Sequence, residues 1–217
     1  MKEKQSYRQA ALGAGLMLLV SFVAPFAGFF NYLLGIEDAG WVLALLVPQV
    51  LLFVGWLLQV PFVRMVRVRF PEQPSLWRYG MAAILIEALS FLLSALSQAY
   101  PRPAGEFSPL SGPMLLAYLI MLCSTAAMLL YSYFFTQLFT FCRRVQSRSA
   151  LTFLPMAAAF LLLLNVLIND IAFFMESPLP LDGVTYFMRN MMALSCAFIA
   201  RMLLFVYFTV NIFKARS

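Results

Sequence analysis

Six long apolar runs dominate the chain, at about 10–34, 41–63, 79–100, 113–141, 151–175 and 186–212. A membrane-spanning helix needs roughly 20 apolar residues, and each run is long enough. Together they occupy most of the 217 residues and leave linkers too short for a separate soluble unit. A water-soluble core is excluded by composition: 63% of the residues are hydrophobic and 11% charged, against about 45–50% and 25% in soluble domains. A chain of this size has no interior large enough to hide that much apolar surface. The expected fold is an all-α integral membrane protein, a single bundle of six transmembrane helices with short loops over 1–217. Lys2, Lys4 and Arg8 precede the first run as in a signal peptide, but the run exceeds the about 7–15 apolar residues of such a segment. It reads as a retained helix.

Charge gives the direction of threading. Twelve of the fifteen basic residues fall in the N-terminal tail, the 64–78 linker, the 142–150 linker and the C-terminus. With six spans these four segments share one side, and Lys and Arg mark the cytoplasmic side of short loops. The opposite linkers, "GIEDAG", "YPRPAGEFSPLSG" and "ESPLPLDG", hold five acids and one arginine. Both termini are therefore expected in the cytoplasm, with the chain in a plasma membrane of the bacterial inner-membrane kind. The net charge of +6 is accounted for by topology and needs no nucleic acid. The Arg64–Arg69 cluster also suits anionic lipid, where each basic residue contributes about 1 kcal/mol near the surface. Trp41 and Trp77 stand at expected interfaces, as aromatic anchors do.

The chain has no histidine. That removes haem and zinc ligation by imidazole and Ser–His or Cys–His catalysis. No lysine lies between Lys4 and Lys214, so no Schiff base can form inside the bundle. Cys123, Cys142 and Cys196 are scattered, without a metal or redox spacing. No phosphate loop, nucleophile elbow or metalloprotease motif is present. Neither a cofactor nor a metal is implied, and with no catalytic motif the chain reads as non-enzymatic.

Four ionisable residues fall inside the spans: Glu87, Asp170, Arg189 and Arg201. Such residues cost roughly 2.5–3.5 kcal/mol each at mid-membrane and usually face protein or water. Depth pairs them. At 1.5 Å per residue, Glu87 lies about 12 Å and Arg201 about 16 Å from the inner ends of the third and sixth spans. Asp170 and Arg189 both lie near outer ends. The expected pairs are Glu87–Arg201 and Asp170–Arg189, which would bring the sixth span against both the third and the fifth. Asn165 and Asn169, four apart, share one face of the fifth span. Asn190 shares a face of the sixth with Arg201, with Ala193 and Ala197 between them. Pro25 and Pro48 each remove a backbone bond in mid-span. Pro155 falls in a first turn, where proline is tolerated. Gln49 and Gln59 are further candidates for a cavity wall.

Glu87 also belongs to a pattern. Gly80, Ala83, Glu87, Ser90, Ser94 and Ser97 are spaced 3-4-3-4-3, a heptad seam filled with small and hydroxyl residues. Such a seam lets another helix pack closely. Leu85, Ile86, Leu89, Leu92 and Leu93 lie off it, so Glu87 is expected to point into the bundle. Two functional classes remain. One is a subunit or accessory component of a membrane complex, with a protein partner or a second copy bound to its small-residue faces. The other is a small transporter, channel or solute-binding component for a small solute or ion, built on Glu87, Asn165, Asn169, Asp170 and Arg201. A dry bundle with these groups paired favours the first, and a cavity reaching Glu87 or Arg201 favours the second.

Overall fold

A computed structural model describes residues 2–34, 39–99, 112–145, 153–176 and 183–214. They form seven helices: α1 (Lys2–Leu34), α2 (Ala39–Leu57), α3 (Val60–Arg69), α4 (Pro74–Ala99), α5 (Gly112–Val145), α6 (Leu154–Glu176) and α7 (Gly183–Lys214). Among the described residues there is no strand. Five segments are long and apolar enough to cross a membrane: Glu3–Val23, Val47–Arg69, Pro74–Ser97, Met114–Phe141 and Met191–Lys214. Leu154–Asn169 is a shorter apolar stretch. The side chains of Trp41, Cys142, Asp170 and Asn190 lie outside the described residues, and the expected Asp170–Arg189 pair lies outside them too.

Two boundaries differ from the sequence reading. Helix α1 begins at Lys2 rather than near residue 10, because its polar first turns are held by Arg69, whose Nη1 donates to Glu3 Oε1 at 2.9 Å. The second apolar run is interrupted at Leu58–Gln59 and resumes as α3. Pro61, at the start of α3, lacks the N–H that a continuous helix would use there. Arg64, Arg67 and Arg69 are therefore helical, not part of a loop, and the connection to α4 shrinks to residues 70–73. Arg67 lies over the Trp77 ring at 4.7 Å, so that tryptophan receives a cation as well as anchoring α4.

The helices form a closed ring. In order around it, α1 packs on α2 and α3, these on α4, then α4 on α5, α5 on α6, α6 on α7, and α7 back on α1. The expected contact of the sixth apolar run with the fifth is present as α7 on α6. Its expected packing on the third is not seen among the described residues: α7 packs on α6 and α1, and α4 on α5. Small residues make these seams. Ala10 and Ala14 of α1, Ala158 and Ala159 of α6, and Ala193, Ala197 and Ala200 of α7 are all buried. At the α1–α2 crossing, a Cβ on Gly13 would lie 2.4 Å from the Gly55 carbonyl oxygen, so only glycine permits this approach.

Polar ties cross the seams. Ser90 and Ser124 share a hydrogen bond of 2.8 Å between α4 and α5. Ser132 Oγ donates to the Ala159 carbonyl at 2.9 Å between α5 and α6. Asn165 Nδ2 donates to the Ala193 carbonyl at 2.6 Å between α6 and α7. Arg201 Nη1 donates to Ser21 Oγ and, at 3.4 Å, to the Met17 carbonyl, joining α7 to α1. The outer surface is apolar. Leu85, Leu89, Leu92 and Leu96 of α4 and Leu115, Leu119, Leu122 and Leu129 of α5 all face outward.

One half of the ring is filled with aromatic rings. Phe62 of α3 is the hub, with centroids 5.7 Å from Tyr7, 5.0 Å from Phe208 and 6.3 Å from Phe134. Tyr131 stacks edge-on to Trp56 at 4.8 Å and to Phe135 at 4.6 Å. Its hydroxyl donates to Gln59 Oε1. Gln59 is 0% exposed and its Nε2 has no partner. Tyr131→Phe would strip the remaining bond from a fully buried amide, at a cost of about 1–3 kcal/mol. Adding Gln59→Leu should restore most of that loss. Unfolding in a denaturing-detergent titration reads both, and a single variant as stable as the parent would show that the bond contributes nothing.

Candidate functional site

Beyond the aromatic plug, toward the α1 C-terminal half of the ring, the packing opens. Helices α2, α4, α5, α6 and α7 line a partly open cavity of about 470 Å³. Its polar wall is Glu87, Ser124, Asn165, Asn169 and Arg201, and its apolar wall includes Leu52, Trp56, Ile120, Met121, Met128, Leu162 and Val166. A smaller cavity of about 190 Å³ between α2, α4 and α5 shares Glu87, Ser124 and Trp56 with it and adds Gln49, Ser90 and Ser94. Glu87 thus borders two chambers.

The α4 seam explains why Glu87 is there. A Cβ on Gly80 would meet Phe134 and Val63 at 3.1 Å, so the lower seam is pressed against the plug. Ala83 is buried at the next turn, and Ser90 binds Ser124 above it. Ser97 Oγ donates to the Ser94 carbonyl at 2.7 Å, turning its hydroxyl back onto its own helix. Glu87 is the long side chain between the two contact zones, where α4 and α5 leave room. Leu85, Leu89 and Leu92 lie outside the seam and are exposed, as the spacing implies.

Glu87 and Arg201 face the same cavity. They do not form the direct ion pair expected from depth. Among the described residues, Arg69–Glu3 is the contact within 4.0 Å. The reason is the ring order: α4 and α7 stand across the cavity instead of side by side, so equal depth leaves a gap. Arg201 leans toward α1, where Nη1 meets Ser21 and Met17. Glu87 accepts no hydrogen bond among the described residues, and its Oε2 is buried without a partner. A buried carboxylate without donors is costly.

Asn165 and Asn169 line the cavity together, as their spacing requires. Asn165 is also spent on the Ala193 carbonyl, while Asn169 is exposed. Gln49 reaches the smaller cavity; Gln59 instead sits in the break between α2 and α3. Arg189 belongs to the first turns of α7, away from both lining sets. Ser124 and Trp56 are wall residues that sequence reasoning did not single out. Ser124 follows Cys123 in an apolar run with no spacing signal of its own, and Trp56 is one aromatic among many.

A separate groove of about 750 Å³ lies between α1 and α3, lined by Glu3, Gln9, Arg64, Met65, Val68 and Arg69. Glu3 already neutralises Arg69 there. Cys123 and Cys196 are free thiols, and no group of three metal-ligating side chains occurs among the described residues. No family model, curated protein or solved structure matches the chain.

Proposed function

We propose that the chain is a six-span membrane protein, with both termini on the cytoplasmic side, that binds a small solute in the cavity between α4 and α7. It would act as a small carrier or as the solute-binding component of a transport assembly. The carrying observation is that an acid and a base face one cavity without pairing: Glu87 lacks any hydrogen bond, and Arg201 stands on the far wall. The apolar helices and outward leucines support the bilayer setting. With the basic segments inside, the aromatic plug lies toward the cytoplasm and the cavity toward the outer surface. Ionisable groups that face a cavity at such depth mark solute or ion pathways in membrane proteins.

Thiol labelling tests this. In a background with Cys123, Cys142 and Cys196 replaced by serine, Ser124→Cys should react with a charged, membrane-impermeant methanethiosulfonate added from outside. Ala158→Cys, on a residue 0% exposed in the plug half, should not. Equal protection of both thiols would remove the cavity reading and favour the accessory-subunit one.

A further inference from the structure

The charges around the cavity define what fits it. Among the described residues, its wall carries one acid, Glu87, one base, Arg201, and no other ionisable group. The described walls are therefore balanced in charge but polarised across the space. An inorganic cation would suit Glu87 and be repelled by Arg201, and an anion would meet the reverse. A neutral polar molecule would leave the Glu87 carboxylate without an opposite charge. The occupant that satisfies both walls is neutral overall, with a positive group at one end and a negative group at the other.

The hydrogen-bonding state of the two residues agrees. Glu87 accepts no hydrogen bond from the described residues, and its Oε2 is buried without a partner. Arg201 uses Nη1 on α1, and its Nε and Nη2 make no hydrogen bond among the described residues. Guanidinium offers five donors in a fixed fork that matches a carboxylate. Trp56 and Ser124 stand on the Glu87 side of the wall, shared by both cavities, where an ammonium gains from an aromatic face. The remaining wall is aliphatic and thioether surface from Met121, Met128, Leu162 and Val166. That surface accepts an apolar substituent.

We propose that the cavity binds a small zwitterion of the amino-acid type, its carboxylate on Arg201 and its ammonium on Glu87, with an apolar side chain against α5 and α6. This rests on the reading of the cavity as a solute site and adds the class of solute. A cavity of about 470 Å³ exceeds one such molecule, and water would fill the remainder.

A charge-deletion series in the intact protein tests it. Thermal unfolding in mild detergent is followed with leucine, methionine and phenylalanine. Each is compared with its amide, which lacks the negative charge, and with its deaminated acid, which lacks the positive one. At least one zwitterion should raise the melting temperature, and its two charge-deleted partners should each bind at least about tenfold more weakly, a difference of 1.4 kcal/mol. Glu87→Gln should remove the preference over the deaminated acid, and Arg201→Lys should weaken binding while keeping the charge. Binding of an amide or deaminated acid as tightly as its zwitterion would overturn the zwitterion proposal and leave the solute cavity standing. No stabilisation by any of the nine compounds would overturn it as well. Thiol labelling of Ser124→Cys then tells whether the cavity reading fails with it.

Discussion

Replacing Gly13 by alanine is expected to destabilise the bundle by about 2–3 kcal/mol, the range of overpacking in a close-packed core. The loss comes despite the roughly 1 kcal/mol that alanine gains over glycine in a helix interior. The new methyl carbon would lie 2.4 Å from the Gly55 carbonyl oxygen and 3.0 Å from Leu58 Cβ. The oxygen is backbone, so relief requires α1 and α2 to separate. Other glycines calibrate the effect. At Gly55 the first obstacle is Met17 Cγ at 2.6 Å, a flexible chain, with the Gly13 carbonyl oxygen next at 2.9 Å; a smaller loss is expected. At Gly15 the neighbour is a Phe205 ring edge at 3.3 Å, and at Gly112 nothing lies within 4 Å. Gly15→Ala should cost little and Gly112→Ala nothing. A denaturing-detergent titration of the four variants should rank them Gly13, Gly55, Gly15, Gly112. A Gly13→Ala protein as stable as Gly112→Ala would mean that α1 and α2 do not cross at these residues.

The second large effect is an asymmetry between Arg201 and Glu87. Arg201→Gln should cost about 1–3 kcal/mol, because it removes the charge that stands opposite Glu87 across the cavity. It also cuts the tie from α7 to Ser21 and Met17 of α1. Glu87→Gln should cost about 1 kcal/mol or less, since Glu87 has no hydrogen bond to lose and Arg201 keeps its partners on α1. The double variant should be more stable than Arg201→Gln alone, with a coupling of more than about 0.5 kcal/mol. Equal single losses would contradict the separated geometry and point back to a direct pair. Strict additivity would show that the two charges do not sense each other across the cavity.

Much of this site was legible in the order of residues, and the limit is instructive. The 3-4-3-4-3 spacing from Gly80 to Ser97 places Glu87 inward because the helical period alone decides which side chains share a face. The same period joins Asn165 to Asn169. Depth matching brought Glu87 and Arg201 to similar levels, and both do line one cavity. What depth cannot supply is order around a ring. It is a single coordinate along the helix axis, whereas neighbours depend on which small-residue seams meet. The decisive contact of Gly13 with Gly55 joins positions 42 residues apart, as the numbering in the sequence shows. The break at Gln59 was half visible. Pro61 interrupts an apolar run and lacks the N–H of a continuous helix, but the Tyr131 hydroxyl that holds the buried Gln59 comes from another helix. The early start of α1 likewise depends on Arg69, 66 positions away from Glu3.

The ring has a consequence for the order in which the molecule is made. Its closing seam joins α1 to α7, and the Arg201–Ser21 bond spans 180 positions. Contacts so distant in sequence form late. While the ribosome is still adding α5 and α6, α1 has its partners in α2 and α3 but an open flank. A nascent chain that has not reached Gly183 holds Glu87 in a trough, not a chamber. The acid wall is therefore in place before the basic wall that balances it. The cavity between α4 and α7 is complete only when the final described helix packs between α6 and α1.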